Sequence, residues 1–293
     1  MRVAARPWVI VAALLVAGPL SAQAPKVDLS EKALTSAAVK YVTEYEKEFA
    51  FLIADEEYTQ TVFDADGRMA KTRVLKAELF MTYLPADGEW MAVRDVLEVD
   101  GEPIKGREDL RALLAKREEL RLVKQLTWRN SRYNIGRVER NFNEPTLPLL
   151  LLDRKRVSRV KFDRKRVIRD EDITLATLGF EEKEAPTLVM TPNEGAVRAK
   201  GEFLLDAATG TVRRTVFQLT RPGIDARLVT SYTKDEKLKL WLPSVFTERY
   251  ESSSYAGGCI RFPSNAARAS RELVECVARY TNYRRFEVTA RIK

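Results

Sequence analysis

Between Val74 and Tyr83 apolar side chains return at every second position. Leu75, Ala77, Leu79, Met81 and Tyr83 alternate with Val74, Lys76, Glu78, Phe80 and Thr82. A period of two belongs to an extended chain whose successive side chains point to opposite faces, so this segment is a strand with one apolar and one mixed face. Met91, Val93, Leu97 and Val99 repeat the pattern, interrupted by Asp95. Asp-Gly pairs at 66 to 67, 87 to 88 and 100 to 101 punctuate the run as turn signals, which predicts an antiparallel meander. After Asp153 the chain again reads as strands and turns, ending in the alternation RYTNYRRFEVTARIK.

Two segments follow a helical period instead. In the first, Ser30 to Phe51, Ser30 is placed to cap the helix, and Leu34, Ala37, Ala38, Tyr41, Val42 and Tyr45 fall on one stripe. The second, Arg107 to about Asn130, carries Leu110, Leu113, Leu114, Leu120, Val123 and Leu126. The expected class is α+β, with two helical stretches against one large antiparallel sheet. Between helix and sheet lies NEPTLPLLLL, where Pro145 and Pro148 oppose a regular helix start. Its four consecutive leucines cannot all face water, so the stretch is either buried core or a movable flap over an apolar cavity.

The chain opens with Arg2 and Arg6, an apolar run from Trp8 to Leu20, and then Ala22-Gln23-Ala24. That order is the pattern of a secretory signal peptide over residues 1 to 24, with cleavage after Ala22 or Ala24. The apolar run falls short of the roughly 20 residues that a membrane span needs. The expected location is periplasmic or secreted, and residues 25 to 293 are expected to form one domain, since no linker-like tract divides them.

Charge is distributed unevenly. Without Arg2 and Arg6 the chain has 48 Lys and Arg against 42 Asp and Glu, a net of +6. The segment DRKRVSRVKFDRKRVIRD, residues 153 to 170, contains nine basic residues and three aspartates, so it accounts for the whole excess. It writes D-R-K-R-V twice, beginning at Asp153 and at Asp163. In an extended chain Val160 and Phe162 share a face while Arg159 and Lys161 point away, so the middle reads as a half-buried strand with an R-K-R triplet at each end. One reading is charge that protects an edge strand from pairing with other chains. The other is a patch for an anionic surface made by Arg154, Lys155, Arg156, Arg159, Lys161, Arg164, Lys165, Arg166 and Arg169. Nucleic acid is not expected as a partner of an exported chain with no aromatic platform beside these charges.

Histidine is absent, which removes Ser-His-Asp and Cys-His catalysis and the commonest metal ligand. Ser158 and Lys161 match the S-x-x-K spacing, but in a strand they face opposite ways. Adjacent acids such as Glu56 and Glu57 diverge for the same reason, and Asp64 to Gly67 lacks the distal ligands of a calcium loop. No enzymatic activity, cofactor or metal is expected. Cys259 and Cys276, an even count in an exported chain, are expected to pair, within one chain or between two.

GEFLLDAATGTVRR, with Gly201, Phe203, Leu205, Asp206, Thr209, Gly210 and Val212, resembles a hairpin of exported half-barrel proteins of the bacterial lipoprotein-carrier type. SYTKDEKLKLWLPSVFTERYE, with Tyr232, Asp235, Leu238, Trp241, Pro243, Glu248 and Tyr250, is similar to the strands that follow in such proteins. Together with VRDVLEVDGEPI, RYNIG and ARYTNYRRFEV, these stretches also resemble a group of secreted bacterial proteins without assigned function. The resemblance implies a strongly curved antiparallel sheet, a half-barrel with helices plugging its concave side. It also implies a cavity that in the carriers accepts acyl chains, and it brings no catalytic residue. Leu75, Leu79, Met81, Phe203 and Leu205 are the apolar candidates for lining such a cavity, and they could equally fill a closed core. The expected partner is a lipid or other apolar small molecule, with an anionic membrane or an envelope protein as further candidates. Ser252 to Glu275, which contains Cys259, reads as an insertion before the last strand.

Overall fold

The structure is a computed structural model that describes residues 27 to 49, 51 to 84, 89 to 107, 110, 130 to 138, 140, 144 to 170, 172 to 191, 195 to 253 and 271 to 286. The expected signal peptide, the Asp-Gly pair at 87 to 88 and Cys259 lie outside these residues. Helix α1 (Glu31–Glu48) precedes β1 (Leu52–Phe63), β2 (Met69–Leu84), β3 (Glu89–Val99) and β4 (Glu102–Pro103). Two short 3-10 helices, η1 (Leu147–Leu152) and η2 (Val157–Arg159), lead into β5 (Val160–Arg169) and β6 (Thr174–Glu182). There follow β7 (Val189–Thr191), β8 (Gly195–Val197), β9 (Ala199–Asp206), β10 (Val212–Arg221), β11 (Ile224–Asp235), β12 (Leu240–Ser253) and β13 (Arg271–Arg285).

Eleven strands form one open sheet in the order β4-β3-β2-β1-β13-β12-β11-β10-β9-β6-β5, and β7 pairs with β8 separately. Every pairing in the large sheet is antiparallel. Most neighbours are hairpins, as the turn signals predict. At Asp100-Gly101 both residues have positive φ, 52° and 88°, and the two-residue loop joins Val99 to its partner Glu102. That is the conformation for which Asp-Gly is selected in tight hairpins. Asp64 to Gly67 is a plain turn in which Asp64 Oδ1 accepts from the N–H groups of Asp66 and Arg68, both at 2.9 Å.

The longest connection runs from edge to edge. From β4 at one edge of the sheet the chain passes to β5 at the other, and part of this passage crosses the inner face, the one that α1 covers. Along it the backbone N–H of Ile135 donates to Gln60 on β1. Farther on, the Pro145 carbonyl accepts from Thr230 Oγ1 at 2.8 Å and Tyr232 OH at 3.0 Å on β11. Then η1 buries Pro148 and all four leucines, Leu149 to Leu152, beneath α1.

Helix α1 begins where its cap predicts: Ser30 Oγ accepts from Ala33 N–H, Glu31 lies in the first turn and Lys47 in the last. Its buried stripe is Leu34, Ala38, Val42 and Tyr45. Of the second expected helix, only Arg107, which is not helical, Leu110 and Asn130 are described. Leu110 packs with Ile53, Phe80 and Val93 on the outer face, so it does not join α1. The expected insertion at 252 to 275 is strand at both ends: Ser252 pairs with Glu272 and Ser253 with Arg271, which leaves 254 to 270 outside the described residues.

Candidate functional site

The inner face has an apolar part and a polar part. In the apolar part, Leu75, Leu79 and Met81 project from β2, and Phe203 and Leu205 from β9, six strands away. Each is at most 3% exposed, and all five belong to one core with α1 and η1. All five lie on the face that α1 covers, and there they are packed.

The cover closes along an aromatic seam. Trp90 of β3 stands edge-on to Phe49, which follows α1, at 4.7 Å between ring centroids, and lies 5.1 Å from Tyr83 and 5.9 Å from Tyr45. Tyr83 OH donates to Asp153 Oδ2 at 3.2 Å, tying the end of β2 to the residue that follows η1. Asp153 Oδ1 accepts from the Lys155 N–H at 2.6 Å, which turns the chain toward β5. Burial and the neighbouring Asp153 carboxylate push the Glu46 carboxyl of α1 up to about 7, against the pull of Lys155 and Arg154. Glu46 therefore titrates near neutral pH at the boundary between α1 and the η1 segment.

The polar part was not apparent from composition. Arg94 on β3 grips Glu56 on β1 through two hydrogen bonds, one from Nη2 to Oε1 at 2.8 Å and one from Nε to Oε2, and the Glu56 side chain is fully buried. The same guanidinium lies 4.2 Å from the centroid of the Tyr58 ring. Next to this pair Arg140 donates to Gln60 Oε1 at 2.6 Å, the Ile135 carbonyl at 3.0 Å and Cys276 Sγ at 2.7 Å. Glu248, 2% exposed, accepts from Tyr250 OH. Burial pushes its carboxyl above the usual range, and the Arg140 guanidinium partly offsets that. One signal was available: in LIADEEYTQTVF, Glu56 and Gln60 fall in phase with the inward residues Leu52, Ala54, Tyr58 and Val62. Glu57, one position on, is exposed, as the divergence of adjacent acids requires.

The expected disulfide is not seen. Cys276 is a buried free thiol on β13, directed into the polar cluster, and its expected partner Cys259 lies outside the described residues. Burial pushes the thiol up to about 12, with Glu248 adding to the shift and Arg140 opposing it. Among the described residues no group of three or more Cys, Asp or Glu is arranged to hold a metal.

The basic segment runs along the sheet's edge. β5 is the terminal strand, where charge hinders pairing with another chain. Val160 and Phe162 are buried and Lys161 is exposed, as alternation predicts. The two D-R-K-R-V blocks do not share one structure. The first is a turn leading into η2, whereas the second lies inside β5 and has a bulge between Arg164 and Arg166. The second R-K-R triplet is thus within the strand, not at its end. Asp153 is buried and Asp163 exposed. Arg154, Lys155, Lys161, Arg164, Lys165, Arg166 and Arg169 are exposed, and Arg156 and Arg159 are half-buried. Arg164 donates to the Leu29 carbonyl at 3.2 Å, and Lys165 pairs with Glu202 on β9 at 3.3 Å.

No protein family and no curated protein sequence matches the chain. Among the solved structures similar to it are two described in turn. One, from Vibrio parahaemolyticus, is provisionally named an outer membrane lipoprotein-sorting protein domain; it is 10% identical, with a TM-score of 0.33, over 87% of this chain and 93% of that one. The other is a DUF1329 family protein from Desulfovibrio piger, 11% identical with a TM-score of 0.34, over 89% of this chain and 94% of that one.

Proposed function

We propose that the chain is an exported, non-enzymatic carrier-type binding protein whose sheet bends into a half-barrel and holds an apolar ligand against its inner face. One observation carries the reading: apolar side chains from both halves of an eleven-stranded open sheet converge on a single 18-residue helix. Laid flat, the sheet would be about 48 Å wide. A helix of this length measures about 27 Å. Yet α1 packs against β5 and β6 at one edge, and Phe49 just beyond its end packs against Trp90 of β3 near the other. A sheet curled around the helix satisfies both contacts. Such a trough suits an acyl chain or a similar apolar molecule, entering where α1 and η1 meet along the Trp90 seam. The opening residues, with their two arginines and apolar run, support export to the periplasm or beyond.

The basic edge gives the carrier a contact with anionic membrane, each cation near such a surface contributing about 1 kcal/mol. A competing reading, an envelope-sensing or protein-interaction module on the same scaffold, draws on one observation. Leu75, Leu79, Met81, Phe203 and Leu205 are already packed, so a ligand must displace part of α1 or η1.

Delipidated protein is expected to bind a fluorescent fatty acid saturably with a stoichiometry of about one. A variant with Arg154, Lys155, Arg156, Arg164, Lys165 and Arg166 all changed to Gln should keep that binding and its thermal stability while adhering less to anionic liposomes. Absence of saturable uptake, together with a protein partner recovered by crosslinking, would decide for the interaction module. Equal liposome adherence by both proteins would remove the membrane contact.

A further inference from the structure

The outer face of the sheet has a recess of its own, distinct from the apolar inner side. Five neighbouring strands, β5, β6, β9, β10 and β11, set their outward side chains in rows across the sheet. In one row Lys161 stands opposite Glu181, Glu181 opposite Lys200, Lys200 opposite Gln218, and Gln218 opposite Arg227. In the next row Asp163 stands opposite Gly179, Gly179 opposite Glu202, and Glu202 opposite Val216. A cavity of ≈ 570 Å³ opens along these rows, with the Val216 side chain and the backbone at Gly201 among the surfaces lining it. At Gly179 the second row has a gap. A Cβ there would come within 2.4 Å of both Asp163 Oδ1 and Lys165 Cε, so those two side chains lie across the gap. Glycine within a strand weakens it, and often marks a place where something approaches the backbone closely.

The charges around the recess are only partly matched within the protein. Lys165 pairs with Glu202. Among the described residues, Lys161, Lys200 and Arg227 have neither an ion pair nor a side-chain hydrogen bond, and the same holds for Asp163 and Glu181. Successive cations of the row stand two strands apart, about 10 Å, close enough for long side chains to reach one anion between them. Lysine binds phosphate as a point charge and arginine as a planar fork. The free carboxylates cannot serve that anion, but they accept hydrogen bonds from hydroxyl groups, and the Gln218 amide can accept from a hydroxyl through its oxygen or donate through its nitrogen.

We propose that this recess binds a phosphorylated polyol, with Lys200 and Arg227 holding the phosphate and Glu181, Asp163 and Gln218 taking the hydroxyls. The ligand is either a free sugar or glycerol phosphate or the phosphoglycerol head of a lipid. The site is separate from the inner face and stands or falls independently of the apolar ligand.

Titration calorimetry of the full chain with sn-glycerol 3-phosphate and with inorganic phosphate tests this, alongside sedimentation with phosphatidylglycerol vesicles. Saturable one-site binding of the glycerol ester, tighter than inorganic phosphate, is the expected result. Lys200→Gln or Arg227→Gln should each weaken it about tenfold or more, the scale of losing one charge-assisted hydrogen bond. Val216→Phe should abolish it by raising the floor, with Tm unchanged in all three variants. Vesicle binding that depends on Lys200 and Val216, without binding of the soluble ester, would identify the lipid head as the source. Equal affinity for inorganic phosphate would overturn the polyol part. Failure of both probes to bind saturably, or indifference to Val216→Phe and Lys200→Gln, would overturn the site.

Discussion

Replacing Arg94 by alanine is expected to cost about 3–5 kcal/mol of unfolding free energy, because it leaves the Glu56 carboxylate buried without its guanidinium. For a domain of this size that corresponds to a fall of about 6–20 °C in Tm. The reason is asymmetric. An intact buried ion pair contributes little net stability, since desolvation offsets the attraction, whereas half a pair retains the desolvation cost alone. The Glu56 side chain is fully buried, and Arg94 also loses its stacking on Tyr58. The double variant Arg94→Ala with Glu56→Met should recover most of the loss, which identifies the stranded charge as its cause. Urea unfolding monitored by tryptophan fluorescence measures both. A loss below about 1 kcal/mol in the single variant would mean that Glu56 reaches water or another cation, contrary to its burial.

Gly210→Ala is the second large effect, at about 2–5 kcal/mol. Gly210 has φ +75°, in the left-handed region where a Cβ costs about 1–2 kcal/mol. An ideal Cβ would also come 2.2 Å from the carbonyl carbon and oxygen of Ala37 and 2.7 Å from the Ala38 nitrogen, all helix backbone. Backbone cannot swing aside as a side chain can, so α1 must lift from the β9–β10 turn, adding about 1–3 kcal/mol. Gly67→Ala is the matched control: its φ is also +75°, but nothing lies within 4 Å of the new Cβ. The difference between the two in thermal unfolding isolates the contact with α1. Equal losses would place the helix away from this turn.

What could be read from the sequence was mainly local. The start of α1 follows from Ser30 and the stripe from Leu34 to Tyr45. The alternation through Leu75, Leu79 and Met81 assigns these side chains to a face, and the turn from Asp206 to Gly210 follows from side-chain acceptance by Asp206 and the positive φ of Gly210. Non-local pairing was not legible. Nothing near β1 announces that it lies beside β13, or that the passage after β4 ends at the opposite edge. The polar cluster depends on that pairing, because Gln60 meets Cys276, and Cys276 meets Glu248, only once β1, β13 and β12 are side by side. Cysteine count alone pointed to a disulfide, while the position of Cys276 on an inward rung directs its sulfur to Arg140. The second basic block reads as strand-end punctuation from its charge, yet β5 continues through it, because an edge strand can leave most of its side chains in water.

The functional reading joins these levels. Alternation gives a sheet with one apolar face, and α1 and η1 cover that face; in the proposed reading the sheet curls around the helix and the covered face opens to take an apolar molecule. Native mass spectrometry of the full chain expressed with its opening residues and purified without detergent tests this most directly. The account predicts a complex heavier than the bare polypeptide by one apolar molecule, which solvent extraction removes and recovers as a lipid. Bare polypeptide as the sole species, with no apolar molecule in the extract, would contradict it.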